Sequence, residues 1–278
     1  MVDDAPFVRS LDLDRIRDLA RDRPGAFARA EPFPHLVIDD LLRPTVAGAL
    51  VDEFATTRGD WIFYHHVNER KRGFNDVAHM GPVARQVVAD LNAPAFVEAL
   101  EQLTGMPRLL ADPILEGGGL SEVEPDGFVN VHADFLSHSR EPTWTRRLNL
   151  IVFLNEGWSE ADGGALELWD AEVRAPVVRV VPTFNRCVVF ATTATAFHGV
   201  PPVRCAAGRS RKSLALYYFE DEGHSVPIRS THYVPRPGDR VLTRALIHVD
   251  RLLLHAYALL KRHTPFGDRL VSRLLRRL

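Results

Sequence analysis

The sequence predicts a mainly β core, with flanking helices before it and a basic amphipathic helical extension after it. Three observations carry this. From Leu110 onward, short apolar and β-branched runs alternate with turn residues. Ahead of that point apolar residues recur at helical spacing, and beyond Arg240 the charge balance changes sign. Many short strands separated by regular turns suggest a sandwich, a jelly roll or a barrel.

The segment EPFPHLVIDDLL gives a short strand at His35–Ile38, then a helix from about Thr45 to Phe54. Pro44 sits at the start of that helix, where a missing N–H costs nothing. The stretch His65–Asp76 is polar and cationic (Arg70, Lys71, Arg72) and reads as a loop. Helical spacing returns over Val83–Leu91 and Pro94–Leu103, for instance through Phe96, Ala99, Leu100 and Leu103. Strand-like runs follow at Leu120–Val123, Phe128–Ala133, Leu148–Leu154, Ala165–Trp169, Val177–Val181, Cys187–Ala191 and Ser213–Phe219. Gly117-Gly118-Gly119, Pro125-Asp126-Gly127 and Asp162-Gly163-Gly164 punctuate them, the last as a tight turn into ALELW. No repeat or low-complexity stretch is visible.

At 278 residues, 46% hydrophobic and 25% charged, the chain can bury a sizeable core and is neither collagen-like nor wholly disordered. A formal net charge of −2 excludes a global polycation of the kind that condenses on nucleic acid. Cys187 and Cys205 are too few for a disulfide scaffold and read as packing residues. With an acidic N-terminal segment and no run of eighteen apolar residues, the expectation is a cytoplasmic protein. The charge is unevenly spread, however. From Arg240 to Leu278, nine Lys or Arg face only Asp250 and Asp268, a balance of +7 that leaves −9 for the rest. VPRPGD (234–239) is a natural linker, so residues 1–239 are expected to form one domain and 240–278 a tail. Within the domain, the helical front runs to about 108 and the β core over about 109–233.

The chemistry starts at VNVHADF. His132 and Asp134 stand two apart on an expected strand, so both side chains point to one face. One imidazole and one carboxylate make two thirds of a metal site, and His198 in TATAFHGVP is the candidate third ligand. Two His and one carboxylate with open positions form the facial triad of non-haem Fe(II) oxygenases. His138 follows Asp134 too closely to come from a separate strand, and His224 sits in an acidic loop. Downstream, SRKSLALYYF places Arg211 and Ser213 on one strand face, a guanidinium fork with a hydroxyl suited to a carboxylate. Arg209 has the same parity, but Ser213 and the strand that follows favour Arg211.

On these residues the chain resembles the Fe(II)- and 2-oxoglutarate-dependent dioxygenases, in their prolyl 4-hydroxylase-like branch. The matching pieces are GGGLSEVEPDGFVNVHADF, RRLNLIVFLNEGW, GGALELWD, RCVVF, FHGVP and RKSLALYYF, and their order is more specific than any one of them. The resemblance implies a double-stranded β-helix, a form of jelly roll, with iron at its open end. It implies His132, Asp134 and His198 as ligands, Arg211 as partner of the distal carboxylate of 2-oxoglutarate, and Ser213 beside it. Relatives often carry a co-substrate-binding tyrosine where this chain has Phe153. Asn149, on the same strand face, is the candidate for that polar contact. The implied cofactors are Fe(II), 2-oxoglutarate and dioxygen, with ascorbate as a candidate reductant. The implied reaction is hydroxylation of an unactivated carbon with release of succinate and CO2. A prolyl or related amino-acid or peptide substrate is the first expectation; other small molecules and glycan or lipid biosynthetic intermediates stay open. The alternative is a catalytically silent jelly-roll binding module, which has no need of all four of His132, Asp134, His198 and Arg211.

Trp144, Arg147 and the loop at 65–76 are candidates to shape a substrate mouth. In the tail, Leu242, Ala245, Leu246, Val249, Leu252, Leu253, Ala256 and Leu260 form an amphipathic stripe. It is expected to pack on the acidic core or on a second subunit, or to lie as a basic helix on an anionic membrane. A shorter stripe runs through Phe266, Leu270, Leu274 and Leu278. Nucleic acid is not expected, because the tail lacks aromatic interleaving.

Overall fold

The computed structural model describes residues 8–263, so the stripe beginning at Phe266 lies outside the described residues. The chain enters through α1 (Leu13–Asp22) and α2 (Ala26–Arg29), lays down β1 (His35–Ile38), and continues through α3 (Pro44–Thr56). A hairpin of β2 (Ile62–His66) and β3 (Glu69–Phe74) leads to α4 (Pro82–Leu91) and α5 (Pro94–Thr104). The β core comprises β4 (Leu110–Ala111), β5 (Gly119–Val123), β6 (Val129–Ala133), β7 (Trp144–Phe153) and β8 (Leu166–Trp169). It is completed by β9 (Pro176–Val180), β10 (Cys187–Ala191), β11 (His198–Val200), β12 (Arg211–Asp221) and β13 (His232–Tyr233), and α6 (Val241–His263) closes the described chain.

Local chemistry sets the helix ends. The Asp12 side chain accepts from the backbone of Asp14 and Arg15 to cap α1. Proline occupies the first turn of α3, α4 and α5, where its missing donor is harmless. All strand pairs are antiparallel, in the order β1-β10-β7-β12-β5-β3-β6-β11-β8-β9. The sheet folds over at β3, which pairs with β5 through Arg72–Phe74 and with β6 through Glu69. The result is a nearly closed antiparallel jelly roll, as the sequence predicts.

Alternation along β7 separates two cores. Leu148, Leu150 and Val152 face outward into a large cluster with Leu50, Val87, Phe96 and Leu100 of the front helices. Phe153 and Ile151 face inward with Phe190, Leu166 and Leu168, joining the two layers of the roll. The helices therefore brace one wall of the barrel, and the inward faces are left to build a site.

Two expectations need correction. The stretch at 65–76 is not a loop: Glu69–Phe74 is a strand whose partner β2 pairs Ile62 with Gly73 and Phe63 with Arg72. Its polar sequence hides it, because its stability comes from pairing with β5 and β6 rather than from an apolar face. The amphipathic stripe of the tail does not pack on the core either. Leu242, Leu246, Val249, Leu252 and Leu253 are all exposed, while α6 docks through Ile247 into a cluster with Val129, Val200 and Tyr233. Polar anchors decide its orientation. Asn68 Nδ2 donates to Asp250 at 2.6 Å and Arg251 Nη1 lies 2.7 Å from His232 Nε2. α1 has no counterpart in the sequence reading: six of its ten residues are charged, leaving only Leu13, Ile16, Leu19 and Ala20 to mark an apolar face.

Candidate metal centre

β6 and β11 lie side by side, with His132 directly opposite His198 in the register. Asp134 follows β6 by one residue, so its carboxylate returns to the face of His132. His132 Nε2 is 3.4 Å from Asp134 Oδ1, and His198 Nε2 is 3.4 Å from Asp134 Oδ2. One potential ligand atom from each of the three lies within 4.8 Å of the others.

Hydrogen bonds fix the protonation of this cluster. His132 Nδ1 bonds to the Asn130 carbonyl at 2.8 Å and His198 Nδ1 to the Ala196 carbonyl at 3.0 Å. A carbonyl only accepts, so each Nδ1 carries a proton and Nε2 is the nitrogen left to face a metal. Burial pushes the His198 pKa down to about 4, keeping that imidazole neutral at physiological pH. Asp134 moves the other way. Burial opposes its charge, but Arg146, His198 and His132 outweigh that and hold it well below the usual carboxylate range. Two imidazole nitrogens and one anionic carboxylate make a donor set that fits a divalent cation.

Arg146 and Asn149 set the carboxylate in place. Asn149 Nδ2 donates to Asp134 Oδ2 at 2.7 Å and Arg146 Nη2 at 3.2 Å, while Arg146 Nε donates to Asn149 Oδ1 at 2.8 Å. The Arg146 guanidinium lies against the rings of both Tyr217 and Phe135. Asn149 thus spends its amide on Asp134 and Arg146, while still lining the inner cavity.

That cavity, about 110 Å³, runs from the triad to Arg211 and Ser213. Arg211 is buried, and its Nε donates to the Gly164 carbonyl at 2.7 Å. No carboxylate among the described residues pairs with it. Burial lowers its pKa to about 10, which still leaves a cation at neutral pH. A buried guanidinium without a counter-ion calls for an anion from outside. Ser213, two residues on, shares its face and lies opposite Phe153 and Ser121 in the register. Arg209, by contrast, points to the surface and pairs with Asp162 at 2.9 Å.

Beyond the triad the cavity opens into a mouth of about 200 Å³, lined by Tyr64, Lys71, Phe135 and Tyr217 on one side. The inner face of α6 supplies the other side with Leu254, Tyr257, Ala258, Lys261 and Arg262. Trp144 and Arg147 are not part of it: Trp144 packs on His138 and Phe219, and Arg147 faces Glu220. His138 is buried beside Asp112 and Glu116 at the wall of the mouth and is not one of the triad.

Three residues here lie outside the sequence reading. Lys71 lines the mouth from the 65–76 stretch that the sequence offers for it, though from a strand rather than a loop. Tyr217 had a signal, because it keeps the parity of Arg211, Ser213 and Ala215. Gly164 was taken for a turn alone; it adopts φ +66° and leaves room for Arg211, since a Cβ there would meet Arg211 Cδ at 3.0 Å. Arg146 had no usable signal. It faces inward because β7 is bulged at Arg147, pairing Leu148 with Tyr218 but Arg146 with Phe219.

Residues 118–219 match the family model of the 2OG-Fe(II) oxygenase superfamily, a span that holds the triad, Asn149, Arg211 and Ser213. The chain carries a 2OG-Fe(II) oxygenase domain. Fe(II) and 2-oxoglutarate are this domain's cofactors, in agreement with the donor set and the unpaired buried cation. A search of curated proteins finds no match. Among solved structures, a prolyl-4-hydroxylase from Pseudomonas putida is 19% identical with a TM-score of 0.52, covering 74% of this chain and 98% of that one. A prolyl hydroxylase from Trichoplax adhaerens, in complex with a hypoxia-inducible-factor peptide fragment, is 14% identical with a TM-score of 0.54, covering 75% and 92%. HygX from Streptomyces hygroscopicus, with nickel and 2-oxoglutarate bound, is 14% identical with a TM-score of 0.50, covering 72% and 87%. At these identities the oxygenase domain shares their fold.

Proposed function

We propose that the chain hydroxylates an unactivated carbon of an amino-acid or peptide substrate, with a prolyl residue as the first candidate. The substrate C–H becomes C–OH with one atom of dioxygen. The other atom enters the succinate formed as 2-oxoglutarate loses CO2, so atoms and electrons balance. The observation that carries this reading is the pairing of the triad with an uncompensated buried Arg211 at the far end of one cavity.

His132, Asp134 and His198 hold the iron, which when bound supplies the redox centre for dioxygen. The remaining work belongs to the chain. The Nδ1 bonds to Asn130 and Ala196 keep both imidazoles oriented, and Asn149 with Arg146 keeps Asp134 anionic and turned inward. Arg211 and Ser213 bind the distal carboxylate of 2-oxoglutarate, with the Gly164 carbonyl fixing the guanidinium. Phe153, Ile151 and Leu166 line or underlie this end and exclude water. The substrate enters by the mouth, where Tyr64, Tyr217 and Tyr257 offer aromatic faces to a pyrrolidine ring. The likeness to two prolyl hydroxylases, one of them holding a peptide, supports that choice of substrate.

The test needs no substrate at first. Fe(II) and then 2-oxoglutarate are added without oxygen, and the visible metal-to-ligand charge-transfer band is followed. The band is expected in the wild type, absent in His198→Ala, and shifted to much higher 2-oxoglutarate in Arg211→Ala. No band in folded, iron-loaded wild type would overturn the oxygenase reading in favour of a binding module. Proline-containing peptides, free amino acids and lipid or glycan intermediates are then compared for gain of one oxygen by mass.

A further inference from the structure

The helix α6 presents to solvent the face that its sequence pattern marks for burial. Val241, Leu242, Leu246, Val249, Leu252 and Leu253 are 84%, 71%, 47%, 54%, 68% and 64% exposed. At 3.6 residues per turn they fall, with Ala245 and Ala256, inside an arc of about 140° that contains no charged residue. The opposite face is half polar and anchors the helix. Ile247 is buried, and Asp250 accepts from Asn68 and lies 3.2 Å from His66 Nδ1. Lys261 pairs with Glu116 at 3.0 Å. The helix is therefore held to the barrel by its polar side and displays a continuous apolar one, the reverse of an ordinary surface helix. A patch of this kind marks an interaction site.

We infer that this face docks α6 in the plane of an anionic lipid surface. Charge decides between the two occupants an apolar helix face can take. The one acid of residues 240–263, Asp250, is turned inward, whereas Arg240 and Arg244 at the start of the helix are exposed and pair with no acid among the described residues. They sit on the flank away from the apolar arc, but about one Debye length from a surface that the arc meets. The sequence beyond the helix adds Arg269, Arg273, Arg276 and Arg277 against a single acid, Asp268. A second copy meeting this face would bring two such cationic tails together, while an anionic bilayer complements them. No described helix is long and apolar enough to cross a membrane, so the mode is interfacial. Because the inner face of α6 walls the mouth of the oxygenase cavity, docking sets that mouth about one helix diameter, some 10 Å, from the lipid.

The test is co-sedimentation of the full chain with phosphatidylcholine vesicles, with or without phosphatidylglycerol, alongside its mass in solution by light scattering. Binding is expected to be roughly tenfold or more stronger on the anionic vesicles and to weaken as salt rises. Leu246→Glu/Leu253→Glu is expected to remove it, and Arg240→Glu/Arg244→Glu to reduce it, with circular dichroism and thermal melting unchanged because neither pair touches the core. Absence of binding to anionic vesicles would overturn the inference. So would a wild-type dimer that becomes a monomer in the Leu246→Glu/Leu253→Glu variant, which would assign the face to a second copy. Neither result depends on turnover, so the outcome is separate from that of the proposed reaction.

Discussion

The guanidinium carbon of Arg211 lies 5.0 Å from the centroid of the Phe153 ring, at the closed end of the cavity that holds the triad. Relatives that place a tyrosine at this point gain a hydroxyl; here the ring gives the cation an apolar, polarisable floor instead. The Gly164 carbonyl takes Nε, leaving the terminal nitrogens for a ligand. In the proposed function, recognition of the distal carboxylate of 2-oxoglutarate is thereby concentrated on one charged fork and the neighbouring Ser213.

Arg211→Ala is therefore expected to weaken 2-oxoglutarate binding by roughly 10- to 100-fold, the range for a charge-assisted hydrogen-bond pair. Arg211→Lys should fall between, because it keeps the charge and loses the fork. Titration of 2-oxoglutarate against the anaerobic iron-bound protein reads both. Equal affinity in wild type and Arg211→Ala would mean that the carboxylate is held elsewhere, and metal loading should be unaffected throughout.

The legible part of this molecule is the part governed by alternation. His132 with Asp134, and Arg211 with Ser213, are pairs at spacing two on regular strands, so their common face could be read from the sequence. The inward set Asn149, Ile151 and Phe153 was legible for the same reason. What lay hidden depended on departures from the period or on distant pairing. The bulge at Arg147 returns Arg146 to the inner face, and no local signal announces a bulge. β3 forms from Glu-Arg-Lys-Arg-Gly-Phe because an open strand edge awaits it. The orientation of α6 is set by Asp250 and Arg251 finding Asn68 and His232, contacts between residues far apart in the chain.

Arg146 is expected to act on the metal through Asp134. Arg146→Met keeps some of the stacking volume against Tyr217 and Phe135 but removes the bonds to Asp134 and Asn149. Iron affinity should fall by about 10- to 100-fold, the usual cost of losing a group that orients a ligand. Arg146→Lys should recover part of it. Competition with a colorimetric chelator measures this directly, and unchanged affinity in a folded Arg146→Met protein would reduce the residue to packing.

Gly164 offers a test that leaves every ligand in place. An alanine there would be strained at φ +66° and would bring its Cβ to 2.9 Å from Val203 Cγ2 and 3.0 Å from Arg211 Cδ. Gly164→Ala is expected to displace the guanidinium, lowering 2-oxoglutarate affinity while iron binding stays near wild type. It should also lower the melting temperature by a few degrees, about 1 kcal/mol or more for a non-glycine residue forced into this region. Loss of iron binding in step with 2-oxoglutarate would show instead that the whole barrel end had shifted.

Asp112, which is not one of the triad, is expected to contribute to the acid sensitivity of the fold. Its buried carboxylate accepts from the backbone of Ile114 at 2.9 Å and Glu116 at 2.6 Å, and faces His138 Nε2 at 3.7 Å. Burial raises its pKa, but the His138 imidazole beside it and the backbone hydrogen bonds more than compensate and the net shift is downward. A carboxyl whose folded pKa lies below its unfolded value stabilises the protein above the unfolded value, and that stabilisation is lost as pH falls through the folded one. Asp112→Asn should therefore melt below wild type at neutral pH, with the gap closing as pH falls past the ordinary Asp value, about 4, and on through the lower folded one. Melting curves for the two proteins across that range, without metal, provide the measurement. A gap independent of pH would assign the cost to lost backbone hydrogen bonds rather than to the charge.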